Sequence, residues 1–375
     1  MAKAVYVGVG SKARKMKKAY VGIGGKARKV KKMYIGVGGK ARLCYSAELE
    51  KVGMAENLSD ERRTVAASVG NYALFAGGIG HGSFIDRAHD AVDAYSASLT
   101  KSMPTALSTV RYRHAGASVE GYALFAGGAD GQRTVDIVDS VDAYSASLTR
   151  TAAATLSGER VWMGAASLEG RAFFAGGASS NMNSDNKCAN VEVYNSTLTR
   201  TAATNLSVAR YYPLTATIGS RVLFAGGTGN TITKVVDVYS TSLTRTAAAD
   251  LSRPTSGDAS TVVGNYAIFT SDGNTSCDVY NASLTKTTVT LLSVARVNMS
   301  VGTVGDYALF AGGGTNSPYS DVVDACDTSL TRTTVTTLDY PRSGLSSATV
   351  GDYLLFAGGR IDSENYSSDV FVYTA

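Results

Sequence analysis

The feature that most constrains this chain is a short block that returns seven times. YALFAGG stands at Tyr72–Gly78 and again at Tyr122–Gly128, and related blocks end at Gly177, Gly227, Gly313 and Gly359. A degenerate copy, YAIFTSDG, fills Tyr266–Gly273. The Phe of the block falls at 75, 125, 174, 224, 269, 310 and 356, in steps of 50, 49, 50, 45, 41 and 46 residues. Such a period means that one supersecondary unit is copied, and that the copies must stack to bury an apolar face that none could bury alone.

Each unit keeps the same order of parts. A VAR-like turn leads into an alternating segment such as HAGASV, then a Gly-containing turn and the ALFAGG strand. A variable loop follows, then a strand like VDAYSASL and a Thr/Ala-rich strand such as RTAAATL. Four short β segments with turn signals between them, and no helical period, describe one propeller blade. Seven of them predict an all-β fold, a seven-bladed β-propeller. The Gly pair closes the second strand, where the backbone must turn sharply and positive φ costs Gly least. The seventh unit stops at DVFVYTA, one strand short, while Cys44–Ser59 aligns with Ala94–Ser108. Residues 47–58 are therefore expected to pair with the last blade, close the ring and cover its open edge. The expected domains are a segment 1–43 and a propeller 44–375.

The units resemble kelch repeats. They share the hydrophobic strand ending in Gly-Gly, the downstream Tyr at 95, 144, 194, 239, 280 and 373, and the Arg of the inter-blade turn at 62, 111, 160, 210, 296 and 342. The usual Trp after the Tyr is replaced by Leu99, Leu148, Leu198, Leu243, Leu284 and Leu330, and the fifth unit lacks both Gly-Gly and the Arg. The resemblance covers roughly residues 47–375 and implies a propeller whose ligand-facing rim lies at those turns.

The net charge of +5 hides an asymmetry. Residues 1–43 hold thirteen of the 36 Lys/Arg and none of the 31 Asp/Glu, so the remainder carries 23 basic against 31 acidic residues, a net of −8. That basic arm has its own period of 14, with Tyr6, Tyr20 and Tyr34 opening strands and Arg14, Arg28 and Arg42 in the strands that answer them. Gly10-Ser11, Gly24-Gly25 and Gly38-Gly39 are two-residue hairpin signals. Lone hairpins are marginal in water, so the arm is expected to self-associate, as in a trimer, or to dock on a partner. It resembles the Tyr-x-Gly-x-Gly-Gly-Lys-Ala-Arg repeats of structural proteins from bacteriophages and prophages, tail proteins in particular. The resemblance implies a virion tail or fibre protein, made in the bacterial cytoplasm, that contacts other virion proteins through 1–43 and a host-surface glycan or protein through the propeller. Nucleic acid is the weaker alternative for the arm, because its Lys and Arg alternate with Gly and Ala in a hairpin pattern.

The sequence argues against several chemistries. Apolar stretches near the start are broken by Gly and Lys, which fits neither a secretory signal nor a membrane span. Cys44, Cys188, Cys277 and Cys326 are scattered without metal spacing and are expected as free thiols, with no cofactor implied. A copper oxidase would need converging His ligands, yet only His81, His89 and His114 occur. A glycan hydrolase or lyase remains the alternative, since Ser271–Thr275 distantly resembles an Asp-box without its Trp. An intracellular kelch interaction module is a third reading, which the arm disfavours. A non-enzymatic attachment protein is the leading expectation.

Binding residues are sought where equivalent positions differ between units. Two places after the repeat Arg stand Thr64, Arg113, Trp162, Tyr212, Asn298 and Gly344. The loop after Gly-Gly offers His81, Phe84, Asp86, Arg87, Asp130, Arg133, Asn181, Asn183, Asp185, Tyr319, Asp362, Glu364 and Tyr366. Aromatic faces beside Asp, Asn and Arg suit sugar rings, whereas Trp162, the sole Trp, could equally plug the channel.

Overall fold

A computed structural model describes the backbone of six strands between residues 6 and 46, then residues 49–375 apart from 81–86, 132–135, 180–185, 258, 272 and 315–317. Every described element is β. The six early strands form three antiparallel hairpins, in which Tyr6 opposes Lys15, Tyr20 opposes Lys29 and Tyr34 opposes Leu43. The side chains of Tyr6, Tyr20, Tyr34, Arg14, Arg28 and Arg42 lie outside the described residues.

Seven four-stranded antiparallel sheets follow, and their first strands are neighbours all round the ring, with the last, Ser346–Val350, against the first, Arg62–Val69. The fold is a seven-bladed β-propeller. In blade 7, Ser346–Val350, Tyr353–Ala357 and Val370–Thr374 are joined by Glu50–Ala55 as the outermost strand, with Glu50 opposite Thr374 and Ala55 opposite Val370. Second strands such as Tyr122–Ala126 are buried beyond their first residue, because a neighbouring blade covers each face. First strands such as Leu214–Ile218 alternate buried and half-buried residues, since they also border the channel.

Small hydroxyls stitch the first strands together: Ser68 Oγ donates to Thr349 O at 2.8 Å, Ser118 Oγ to Ser68 O at 2.6 Å and Thr217 Oγ1 to Ser167 O at 2.8 Å. These are inter-blade bonds that a sheet ladder cannot supply.

Between blades the core is aromatic. Phe125 and Tyr144 of blade 2 meet edge to face at 6.0 Å and pack on Val69, Leu74 and Ala76 of blade 1. Leu99, Leu148, Leu198, Leu243, Leu284 and Leu330 close the turn before the fourth strand with φ of 60–63°. A left-handed Leu costs roughly 1 kcal/mol, and packing offsets it, as where Leu148 rests on the cluster around Phe125 and Tyr144. Blade 7 has no such turn because its fourth strand comes from elsewhere in the chain.

The repeat Arg and the Gly pair form one joint. Arg62, Arg111, Arg160, Arg210, Arg296 and Arg342 are buried, each ion-paired to an acid on or just before the third strand: Asp93, Asp142, Glu192, Asp237, Asp324 and Asp369. Arg111 reaches Asp142 at 2.7 Å and donates to the carbonyls of Gly127 and Ser140. Its own carbonyl accepts the Gly78 N–H of the preceding blade at 2.8 Å, and Gly359 of blade 7 donates likewise to Arg62 at 3.1 Å. The first Gly has φ near +52° to +68°, and a Cβ on it would run into that same carbonyl oxygen. The Gly pair is thus required by close approach between blades as well as by the turn.

Blades 5 and 7 vary the joint. Thr255 stands where the Arg would be, and Asp278 instead takes the Ser252 N–H at 2.7 Å and the Thr288 hydroxyl at 3.0 Å. In blade 7 the acid's place on the strand is Phe371, which lies between Arg342 and Lys51 at 4.8 and 5.0 Å.

Two outcomes follow from this packing. Removing residues 1–58 strips Val370–Thr374 of its partner strand and should give an insoluble body, whereas removing 1–40 should leave it folded. A soluble, monomeric 59–375 fragment in size-exclusion chromatography would refute the closure. Replacing Arg111 by Met strands a buried carboxylate and should cost about 3–5 kcal/mol in denaturant unfolding. The Arg111→Met/Asp142→Leu double variant should recover most of that loss.

Candidate binding site at the channel mouth

In an antiparallel blade the first strand begins at the same end as the second strand finishes. Residues just after the repeat Arg therefore meet residues just after Gly-Gly, as isolated bridges record: Tyr112 with Ala129, Val161 with Ala178, Tyr211 with Thr228, and Ser343 with Arg360. One residue further on, Arg113, Trp162, Tyr212 and Asn298 have φ of 53–59°, and Gly257 and Gly344 occupy the same place at +73° and +66°. At four of these places the turn lets the N–H reach sideways to the neighbouring blade. Trp162 N–H donates to Arg113 O at 3.0 Å, Tyr212 N–H to Trp162 O at 2.9 Å and Gly344 N–H to Asn298 O at 3.0 Å. Non-Gly residues in this conformation are costly and held by such surroundings.

The mouth encloses a cavity of ≈ 390 Å³ whose lining includes Arg63, Thr64, Tyr112, Arg113, His114, Trp162, Tyr212, Arg360 and Tyr366. Trp162 lies 5.2 Å from the Tyr211 ring and 5.3 Å from the Tyr212 ring, and the Arg113 guanidinium sits over both Tyr112 and Trp162. Tyr212 is 39% exposed, so its ring is open to a ligand. Tyr366 is buried; its hydroxyl accepts from Arg360 Nη2 at 2.6 Å.

Of the residues singled out in the sequence, Thr64, Arg113, Trp162, Tyr212 and Tyr366 come together here. Asn298 is exposed on the same rim but outside the lining. Gly344 lies beneath Arg63, where any Cβ would strike the guanidinium. Asp130 and Asp362 do not line the cavity, because their carboxylates tie their own loops. Asp130 accepts the Asp136 N–H at 3.0 Å, and Asp362 accepts the N–H groups of Glu364 and Asn365 and the Asn365 side chain. The Asn365 amide foremost, with those backbone donors, holds the Asp362 carboxyl below its usual range. Tyr319 donates to Asp362 O at 3.3 Å, away from the lining. Arg87 is exposed at the start of a third strand. Asp86, Arg133, His81, Phe84, Asn181, Asn183 and Asp185 lie outside the described residues. Among the described residues, no three His, Cys, Asp or Glu side chains converge as a metal site would require.

Sequence reasoning missed Arg63, Tyr112, His114 and Arg360. A signal existed one position earlier than the column chosen: directly after the repeat Arg stand Arg63, Tyr112, Val161, Tyr211, Val297 and Ser343, and directly after Gly-Gly only the seventh unit carries a charge, Arg360.

His114 is buried behind the cavity wall and meets Phe125 edge to face at 6.0 Å. Burial, helped by Arg111, pushes its pKa down to about 3, so the imidazole is neutral in the folded protein. The unfolded chain binds a proton near pH 6.5, so this group's contribution is intact above pH 6.5 and drains away as the pH falls toward 3. In His114→Leu the fall in melting temperature between those limits should be shallower, by an amount on the order of a few kcal/mol at the acid end. Parallel acid limbs in the two proteins would contradict the burial account.

No family model matches the chain, and no curated protein does. Among solved structures it is similar to YjhT, with a TM-score of 0.56 and 12% identity over 86% of this chain and 97% of that one. At this identity the likeness concerns the propeller fold alone.

Proposed function

We propose that the propeller is of kelch type and that the protein is a non-enzymatic virion component, of a phage tail or fibre, whose channel mouth binds a host-surface glycan or protein. The observation that carries this reading is the mouth itself. Trp162, Tyr212 and Arg113, which diverge in sequence where the framework repeats, are drawn together around one cavity. Aromatic faces with a few placed polar groups are the ordinary make-up of a saccharide site. The kelch assignment is supported by the buried Arg, the Gly-Gly joint and the third-strand Tyr, which act together in the inter-blade contacts. The assembly role of 1–43 is supported by thirteen positive charges and no negative one in that segment, together with its hairpins. Hydrolysis is less favoured because, among the described lining residues, there is no carboxylate to serve as acid or nucleophile.

Host-wall polysaccharide incubated with the protein should be retained without release of new reducing ends; accumulating ends would establish the hydrolase instead. Trp162→Ala should weaken host-cell binding by about 2 kcal/mol, as an aromatic anchor does, while its melting temperature moves little. Unchanged binding with a lowered melting temperature would make Trp162 a channel plug and reject the assignment. Immunogold labelling of intact particles tests virion membership directly.

A further inference from the structure

We propose that the mouth cavity is an anion site, taking a carboxylate or phosphate carried on a sugar ring, with Arg63 as its principal charge partner. The biological meaning of this inference rests on the attachment reading, although its physical test does not.

The argument begins with charge. Arg63, Arg113 and Arg360 all line the cavity, and among the described lining residues there is no Asp or Glu. Elsewhere in the ring the rule is the opposite, since each of the six repeat Arg residues meets an acid within its own blade. The Arg63 guanidinium, adjacent to Arg62 in sequence, makes no hydrogen bond or ion pair among the described residues. Arg62 takes Asp93 at 2.7 Å, and Arg63 is left facing the mouth.

Space is kept for that guanidinium. It lies over Gly344, at a position that carries a side chain in the other units retaining the repeat Arg, and such a side chain would displace it from this place. Arg63 is exposed to solvent at the rim, and the protein packed around it, together with the positive charge of Arg360, pulls its pKa below the ordinary value. Like charges crowded at one rim repel, and an incoming anion relieves that repulsion. A guanidinium also offers a planar fork suited to carboxylate and phosphate oxygens.

Size and shape fix the rest of the ligand. A cavity of ≈ 390 Å³ lies within the range of small-ligand sites and admits a sugar ring. Trp162 and Tyr212 supply apolar faces for its C–H surface. A bare inorganic ion would leave those rings unused.

The test titrates the full-length protein with glucose, glucuronate and glucose 6-phosphate, following affinity by NMR or calorimetry. At least one anion should bind ten or more times as tightly as glucose, and the tighter of the two tells whether the source is an acidic sugar or a phosphorylated one. Arg63→Gln should lose most of that preference, whereas Arg253→Gln, at an exposed turn of blade 5, should keep it. Should Arg63→Gln fail to fold, the wild-type protein decides: the preference should shrink when salt is raised from about 0.05 to 0.5 M, since screening shortens the reach of the charge. Equal affinity for all three probes, a preference untouched by Arg63→Gln, or one indifferent to salt overturns the proposal. Host-cell adhesion is scored separately. Protein that prefers anions but adheres to no host keeps the anion site and rejects attachment; adhesion without anion preference does the reverse.

Discussion

The ring depends on a buried guanidinium at the head of six of its seven blades. Arg111 ties the second and third strands of its own blade together through Gly127 O, Ser140 O and Asp142, and its carbonyl receives the Gly78 N–H of the blade before. One residue thus fixes both the internal register of a sheet and its angle to the neighbour. Burying such a charge is costly unless every donor and the partner acid are engaged. The acid is correspondingly shared: Asp142 also takes the Ser108 N–H and hydroxyl and Arg150 from the fourth strand. The clamp specifies geometry more than it adds net stability, because ion pairs of this kind roughly balance their desolvation.

The blades that depart from the pattern show which part of it is needed. In blade 5 the Arg is gone and Asp278 is satisfied by hydroxyls, a backbone N–H and Lys286, so what persists is the satisfied carboxylate. In blade 7 the carboxylate on the strand is gone, and the ring of Phe371 accepts Arg342 and Lys51 on its faces while Asp369 takes the ion pair. Lys51 comes from the strand Glu50–Ala55, placed as Arg150 and Arg245 are in their blades, so the early strand restores the clamp as well as the sheet edge.

The architecture was legible because it is periodic. Seven copies of one block, and one unit short of a strand, leave little freedom in a fold that must bury both faces of every sheet. What the sequence could not show was why Gly-Gly is there: the clash lies with the carbonyl of a residue about thirty positions away, and no local rule contains that distance. The site was half legible for the same reason. Divergence within a repeating column pointed to Arg113, Trp162 and Tyr212, but Arg63 and Arg360 sit in adjacent columns whose convergence needs the strand ends superposed. The loop acids Asp130 and Asp362 lie outside the cavity lining, their carboxylates bonded within their own turns, a role written in local spacing.

A seven-fold frame carrying a one-sided mouth is itself informative. The bulky residues two places after the joint fall in three consecutive blades, as Arg113, Trp162 and Tyr212, while the equivalent places in blades 5 and 7 are Gly257 and Gly344. One place after the joint, charge and aromatics again favour one side, with Arg63, Tyr112 and Tyr211 against Ser256 and Ser343. A residue set meant only to seal the channel would be expected to fill it from all sides, since packing rewards similar volumes at equivalent positions. Here the bulky residues two places after the joint are gathered on one arc, while blade 7 sets Gly344 at that place and brings Arg360 and Tyr366 to the mouth from its loop, which leaves volume instead of removing it. The left-handed backbone makes the contrast sharper: Arg, Trp, Tyr and Asn hold a conformation that Gly would adopt at less cost, as Gly257 and Gly344 do. Strain retained at Arg113, Trp162 and Tyr212, which build the cavity, supports the proposal that the mouth takes a ligand.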